Sequence, residues 1–266
     1  MDIYAKYLGI DPAPINGIVN DNRPFFMTKE EVSEMDLYMR IHNCDGFCWE
    51  ANIIDQINEN KYGWFDFSKS LIDIGAGAGE YPIFTNFTHS YAFEPNRKKQ
   101  CLIYTNMLSF DKMNNIDVLP YAISDNPGTR EFNGWTEDVN PNNRSTEDIH
   151  MIEYRSLDSF NFTNIGLIKA DIEGFELFAL RSGIETIRRN NYPPLLIELW
   201  QDYQINQFFS DDNDKDMYKS RRDTLIQMLE DLGYVVIKDP SLGDWETKFL
   251  IHKTQLNEYN YEEASE

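Results

Sequence analysis

A chain of 266 residues is long enough for one α/β domain with a modest N-terminal addition, and two full domains would be tight. Hydrophobic residues at 41% and aromatics at 14% supply a sizeable core and exclude global disorder. The 24 Lys+Arg against 45 Asp+Glu leave a formal charge of −21, a field that repels phosphate backbones and anionic lipid, so nucleic acid is not an expected partner.

Three cysteines, Cys44, Cys48 and Cys101, do not make a disulfide framework. No apolar stretch approaches the roughly 20 residues that cross a bilayer. The N-terminus lacks the basic start and apolar run of a secretory signal. The expectation is a cytoplasmic protein without a membrane span, whose sequons at Asn86, Asn143 and Asn161 go unused.

In chain order, Pro12, Pro14, Gly17 and Pro24 make an irregular lead-in. Thr28 with Glu31 resembles a capping box and predicts a helix from Lys29 to about Ile41. A second helix is expected over Phe47–Asn60, with Trp49, Ile53, Ile54 and Ile57 on one face. His42, Cys44 and Cys48 are neighbours without a fourth zinc ligand at the usual spacing, and read as structural.

From residue 70, short apolar runs alternate with helical stretches. The strands are Leu71–Ile74, Tyr91–Phe93, Asp117–Leu119, Ile165–Ala170 and Leu195–Leu199. Helices are expected at Asn96–Phe110, Phe175–Asn190 and Arg221–Leu232, before a closing antiparallel pair, Tyr234–Ile237 with Lys248–His252. This pattern predicts a Rossmann-like α/β fold, a mostly parallel sheet covered on both faces. Between Ser124 and Phe160 the alternation fails, and Thr129–Phe132 with Ile149–Tyr154 reads as two strands flanking a polar excursion. The expected organisation is an N-terminal helical extension over 1–66, a domain over 67–256 with the excursion at 126–155, and an acidic tail over 257–266. Asp212, Asp214 and Asp216 imitate a calcium loop, but Met217 stands where glycine is required, so a solvated loop is expected.

Asp73-Ile-Gly-Ala-Gly-Ala-Gly79 follows a strand and precedes a helix. Its glycines let the backbone turn sharply and a ligand approach the N–H groups. Glu94 ends the next strand, about twenty residues on, where a carboxylate can accept both ribose hydroxyls of an adenosine. The spacing is not Gly-x-Gly-x-x-Gly, and an acidic turn suits the cationic sulfonium and ammonium of S-adenosylmethionine better than a dinucleotide diphosphate.

Together, Leu71–Tyr81, Ala92-Phe-Glu-Pro-Asn96, Ala122-Ile-Ser-Asp125 with Gly128-Thr129, Ser156-Leu-Asp-Ser159, Ile168–Glu176, Leu180-Arg-Ser-Gly183 and Leu196-Ile-Glu198 resemble the FkbM family of methyltransferases, over roughly Leu71 to Trp200. The resemblance implies a class I methyltransferase fold, a seven-stranded sheet of order 3-2-1-4-5-7-6, and S-adenosylmethionine as cofactor. It implies Asp73, Gly75, Ala76, Gly77 and Gly79 around the methionine portion and Glu94, beside Pro95, on the ribose. Ala122, Ile123 and Ser124, as a turn closing the third strand, would lie against the adenine, and Asp171 would face the methyl group and amino end. The family is associated with O-methylation of sugars and natural products.

An alcohol is a poor nucleophile until its proton is taken or its oxygen is bound to a metal. Asp171, Glu173 and Glu198 are the candidate catalytic carboxylates. Asp171 and Glu198 are also candidate ligands for a divalent cation, Mg²⁺, Mn²⁺ or Ca²⁺ by their oxygen donors. Glu176 is either functional or a helix N-terminal charge, and Lys169 is a pairing partner for these carboxylates. Trp135, Tyr154, Trp200 and Tyr203 are candidates for a sugar-stacking wall, although packing is the commoner fate of such rings. The expected partner is a small-molecule or glycan acceptor, with a homo-oligomer left open. N- or protein methylation and a non-catalytic adenosine-binding or assembly module are the alternatives.

Overall fold

The computed structural model describes residues 13–15, 25–27, 51–132, 150–238 and 247–256. The expected helix at Lys29–Ile41, the group His42, Cys44 and Cys48, Trp135 and the tail 257–266 lie outside them. A short antiparallel pair, β1 (Ala13–Ile15) and β2 (Phe25–Met27), and helix α1 (Ala51–Glu59) precede the main sheet.

That sheet is built from β3 (Ser70–Ile74), β4 (His89–Phe93), β5 (Ile116–Leu119), β9 (Ile165–Ala170), β10 (Leu195–Glu198), β11 (Tyr234–Val236) and β12 (Thr247–His252). Its spatial order is β5-β4-β3-β9-β10-β12-β11. Counting these strands by their place in the chain, the order is 3-2-1-4-5-7-6, as expected. β12 pairs antiparallel with both its neighbours, and the pairs among β5, β4, β3, β9 and β10 are parallel.

All residues of β3 and β9 are buried, because helices cover both faces of the sheet. The alternation of a strand divides the core. Ile72, Ile168 and Ile197 face a cluster with Leu177, Leu180 and Leu225, on one side. Leu71, Leu167 and Leu196 face Ile53, Ile54 and Ile57 of α1 on the other. The helices on the first side are α4 (Glu176–Arg181), α5 (Ile184–Arg189) and α7 (Asp212–Asp231). α2 (Glu80–Phe84) and α3 (Arg97–Ser109) follow β3 and β4, and α6 (Asp202–Phe208) follows β10.

Three expectations are corrected. The helix foreseen over Phe175–Asn190 is two helices, broken at Ser182-Gly183, where a Cβ on Gly183 would sit 2.6 Å from Leu157. Asp212, Asp214 and Asp216 belong to the first turns of α7 and not to a loop. Asp211 caps that helix by accepting from the Asn213 N–H at 2.7 Å, Lys215 pairs with Asp212, and acidic residues there suit the helix dipole. Ala122 and Ile123 lie on a strand, β6 (Tyr121–Ile123), and not in a turn. β6 runs parallel to β8 (His150–Arg155), which pairs antiparallel with β7 (Gly128–Phe132), giving a separate three-stranded sheet. The β7–β8 pairing follows the sequence reading; the third partner does not.

Among the described residues, no helix is long and apolar enough to cross a membrane.

Candidate active site

The chain leaves β3 through a turn in which the N–H groups of Gly75 and Ala76 both donate to the Phe93 carbonyl at 3.0 Å. Gly75 has φ +82°, and a Cβ there would lie 2.0 Å from the Asp171 carbonyl oxygen, so only glycine fits. The Gly77 N–H donates to Glu94 Oε2 at 3.0 Å, and the Asn96 N–H donates to Oε1 at 2.8 Å. The glycine turn and Glu94 are therefore adjacent, on the same side of the sheet's edge. Gly79 closes the turn by donating to the Ala76 carbonyl and opens α2, and half-buried Pro95 adjoins Glu94. Burial raises the Glu94 carboxyl above its ordinary value, against the pull of Lys99 and of the two backbone N–H groups. Each of its oxygens accepts one N–H and keeps capacity for another donor.

Asp73 lies beneath this turn, fully buried. Lys169 stands opposite it in the β3–β9 register. Its ammonium is 3.3 Å from Asp73, 3.4 Å from Asp171 and 2.9 Å from the Gly75 carbonyl. Burial pushes Asp73 up to about 6, with Lys169 pulling the other way. The pairing expected of Lys169 is thus a hub, and it is the β3–β9 register that sets Lys169 opposite Asp73.

β9 ends at Ala170, and the Asp171 N–H donates to the Ile74 carbonyl at 3.1 Å. The loop then turns through two left-handed residues, Glu173 (φ +58°) and Gly174 (φ +90°). Glu176 Oε1 braces it, accepting from the N–H groups of Ile172 at 2.8 Å and Gly174 at 3.2 Å. Buried Glu176 is raised to about 7 by desolvation, so its place in the fold is as loop brace as well as first-turn acid of α4. The loop brings Asp171, Glu173 and Glu198 together: one carboxylate oxygen of each lies within 4.8 Å of the others. Glu198, at the end of β10, is lifted well above the ordinary carboxylate range by burial and then by the charges of Asp171, Glu173 and Glu176, with a hydrogen bond to Trp200 acting against them. Its Oε2 is sealed from solvent and has no hydrogen-bond partner.

The Ala122–Ser124 segment is held by the core and by β8. Ile123 packs in one cluster with Phe93 and Ile74, and the Ser124 N–H donates to the Arg155 carbonyl at 2.9 Å. The aromatic wall does not assemble among the described residues: Trp200 is buried and stacked on Tyr218, Tyr154 lies under the Arg130 guanidinium, and Tyr203 stands exposed. Two further motifs form a structural clasp. Asp158 accepts from the Thr186 N–H at 2.6 Å and its hydroxyl at 2.7 Å, while the Leu157 N–H and Ser156 hydroxyl bond to Ser182.

A family model described as the methyltransferase FkbM domain matches residues 56–236. This is well over half of the chain, and the protein belongs to the FkbM methyltransferase family. It is accordingly an S-adenosylmethionine-dependent methyltransferase. The chain is similar to the crystal structure of methyltransferase FkbM from Methylobacillus flagellatus KT, at 20% identity and a TM-score of 0.47, over 70% of this chain and 44% of that one. It thus spans less than half the length of that protein. It is also similar to a precorrin-6y C5,15-methyltransferase from Geobacter metallireducens GS-15, at 13% identity and a TM-score of 0.44, over 90% of this chain and 98% of that one. An SAH-bound methyltransferase from Podospora anserina is similar at 9% identity and a TM-score of 0.46, over 95% and 94% of the two chains. No curated protein sequence matches the chain.

The residues fit such a cofactor. Gly77 turns with φ +58° where a Cβ would meet nothing nearer than the Glu80 carboxylate at 3.6 Å, and Glu94 presents spare acceptor capacity beside the Gly77 N–H.

Proposed function

We propose that the enzyme methylates a hydroxyl group of a saccharide or another small hydroxylated metabolite. The observation that carries this reading is Glu198: a carboxylate driven above its ordinary range, with a sealed and unpartnered oxygen, beside Asp171 and Glu173. A carboxylate made more basic than usual is a better acceptor for the proton of a weakly acidic alcohol. Bound S-adenosylmethionine supplies a methyl group already activated on sulfonium, which leaves the protein to position and to deprotonate.

In this reading Gly75, Ala76, Gly77 and Gly79 cradle the methionine portion above Asp73. Glu94, with Pro95 alongside, accepts hydrogen bonds from the ribose hydroxyls, and Ala122, Ile123 and Ser124 border the adenine. Asp171 faces the donor's cationic amino end. Glu198 takes the acceptor's proton, and Glu173 orients the acceptor hydroxyl. The formal charge of −21 favours a small neutral acceptor over a polyanion. Labelled S-adenosylmethionine offered with a panel of glycans, small alcohols and peptides tests this. Label carried only by amines or peptides overturns it in favour of N- or protein methylation, and label carried by nothing favours a non-catalytic binding module.

A second reading rests on the close approach of the three carboxylate oxygens, which suits a hard divalent cation held by Asp171 and Glu198. Mg²⁺, Mn²⁺ or Ca²⁺ would then lower the acceptor's pKa directly. Chelator-treated protein should lose turnover and regain it with added cation. Full turnover without metal leaves Glu198 acting as a base.

A further inference from the structure

Lys169 is 4% exposed, and its ammonium meets three acceptors that belong to three different parts of the site. The Gly75 carbonyl is in the glycine turn, Asp73 is in β3, and Asp171 follows β9. The first contact is a hydrogen bond and the other two are ion pairs, so one ammonium links all three parts. Asp73 is wholly enclosed, whereas the Asp171 side chain keeps 30% exposure. The buried carboxylate needs the ammonium as its counter-charge, because an unpaired charge in that position is costly. The exposed one does not, and its charge can be offered to a ligand.

We propose that Lys169 is a positioning residue for the methyl donor: it cancels the enclosed charge of Asp73, ties the glycine turn to the end of β9, and holds Asp171 as the carboxylate facing the donor's cationic end. The inference rests on the assignment of Asp171 to that end of the donor. Lys169 touches no reacting atom in this scheme. It acts by fixing the distance between the turn that carries the donor and the carboxylate that orients it, and fixed geometry of this kind is what positioning contributes to rate.

The test separates a clamp from a mere counter-ion. Calorimetry measures the affinity for S-adenosylmethionine and for its demethylated product, S-adenosylhomocysteine, well below the melting temperature. The variants are Lys169→Met, Asp73→Asn, Asp171→Asn and the double variant Asp73→Asn/Lys169→Met. Lys169→Met should lower the melting temperature and weaken both ligands at least tenfold. The double variant leaves no uncompensated carboxylate in the core and should recover the melting temperature. It should still show at least tenfold weaker binding than Asp73→Asn alone, because the turn and Asp171 remain untied. Affinity that returns to the Asp73→Asn value along with the melting temperature makes Lys169 a counter-ion and overturns the inference. Should Lys169→Met fail to fold, the comparison of the double variant with Asp73→Asn decides alone. Asp171→Asn should weaken the sulfonium compound and its demethylated product alike, because both carry the same α-ammonium. Unchanged affinity for both refutes the Asp171 assignment, while the comparison at Lys169 still judges the tie between turn and strand.

Discussion

Glu94 directly follows β4 and Glu198 ends β10, parallel strands of the same sheet, and both are raised by burial, yet their surroundings are opposite. Glu94 sits between two backbone N–H groups, with Lys99 adding favourable charge. Glu198 faces three other carboxylates and leaves one oxygen without a partner. The first is a carboxylate already organised as an acceptor by two backbone N–H groups and suited to hold hydroxyl groups in place. The second is electrostatically frustrated, and loss of that frustration, by taking a proton or a cation, is favourable. A single sheet edge thus offers one side chain suited to binding and one suited to chemistry.

Substitutions at the two positions can break this contrast. Glu198→Gln should lower kcat by roughly 10²–10⁴, the usual contribution of a general base, with donor affinity unchanged. A loss confined to donor binding would erase the distinction. Glu94→Ala should weaken donor binding about 10–100-fold, the equivalent of lost hydrogen bonds to a charged group, as read by calorimetry. Unchanged affinity would remove Glu94 from the binding side.

The pH dependence of stability sharpens the same contrast with a smaller effect. Asp73 and Glu176 carry folded-state values of about 6 and about 7, above their ordinary ones. The native state therefore holds more protons than the unfolded chain in this range, so stability falls as pH rises through these values. Melts should shift downward from pH 5 to pH 7.5, and Glu176→Gln should flatten the slope. Smallest is Asp158→Ala, which removes the acceptor at the start of α5 and should cost about 1 kcal/mol in denaturant unfolding while leaving donor affinity intact.

The strands were legible wherever burial on both faces made a continuous apolar run, and Ile165–Ala170 has the bounds read from sequence. Asn96 caps α3 as its residue type suggests, accepting from the Lys98 and Lys99 N–H groups. What escaped had a common cause in tertiary override of local pattern. Tyr121–Ile123 is too short to announce a strand, and only its partner β8, some thirty residues on, makes it one. The polar opening of α7 reads as loop until Asp211 is known to cap it and Tyr218 to pack behind Gly174. Ser182 breaks a helical period because its hydroxyl and carbonyl are committed to Leu157, Ser156 and Asp158. In the candidate site, the glycine turn, Glu94 and the acidic cluster were visible as motifs. The hub at Lys169 and the brace at Glu176 needed coordinates, since each depends on which backbone groups a buried side chain meets.

The Gly75–Asp171 abutment has a mechanical consequence. With no room for even a methyl group between them, the ends of β3 and β9 cannot shift apart or slide without tearing hydrogen bonds. The glycine turn after β3 and the acidic loop after β9 must travel as one block. In the proposed reading, any adjustment to the acceptor therefore has to come from segments off that joint.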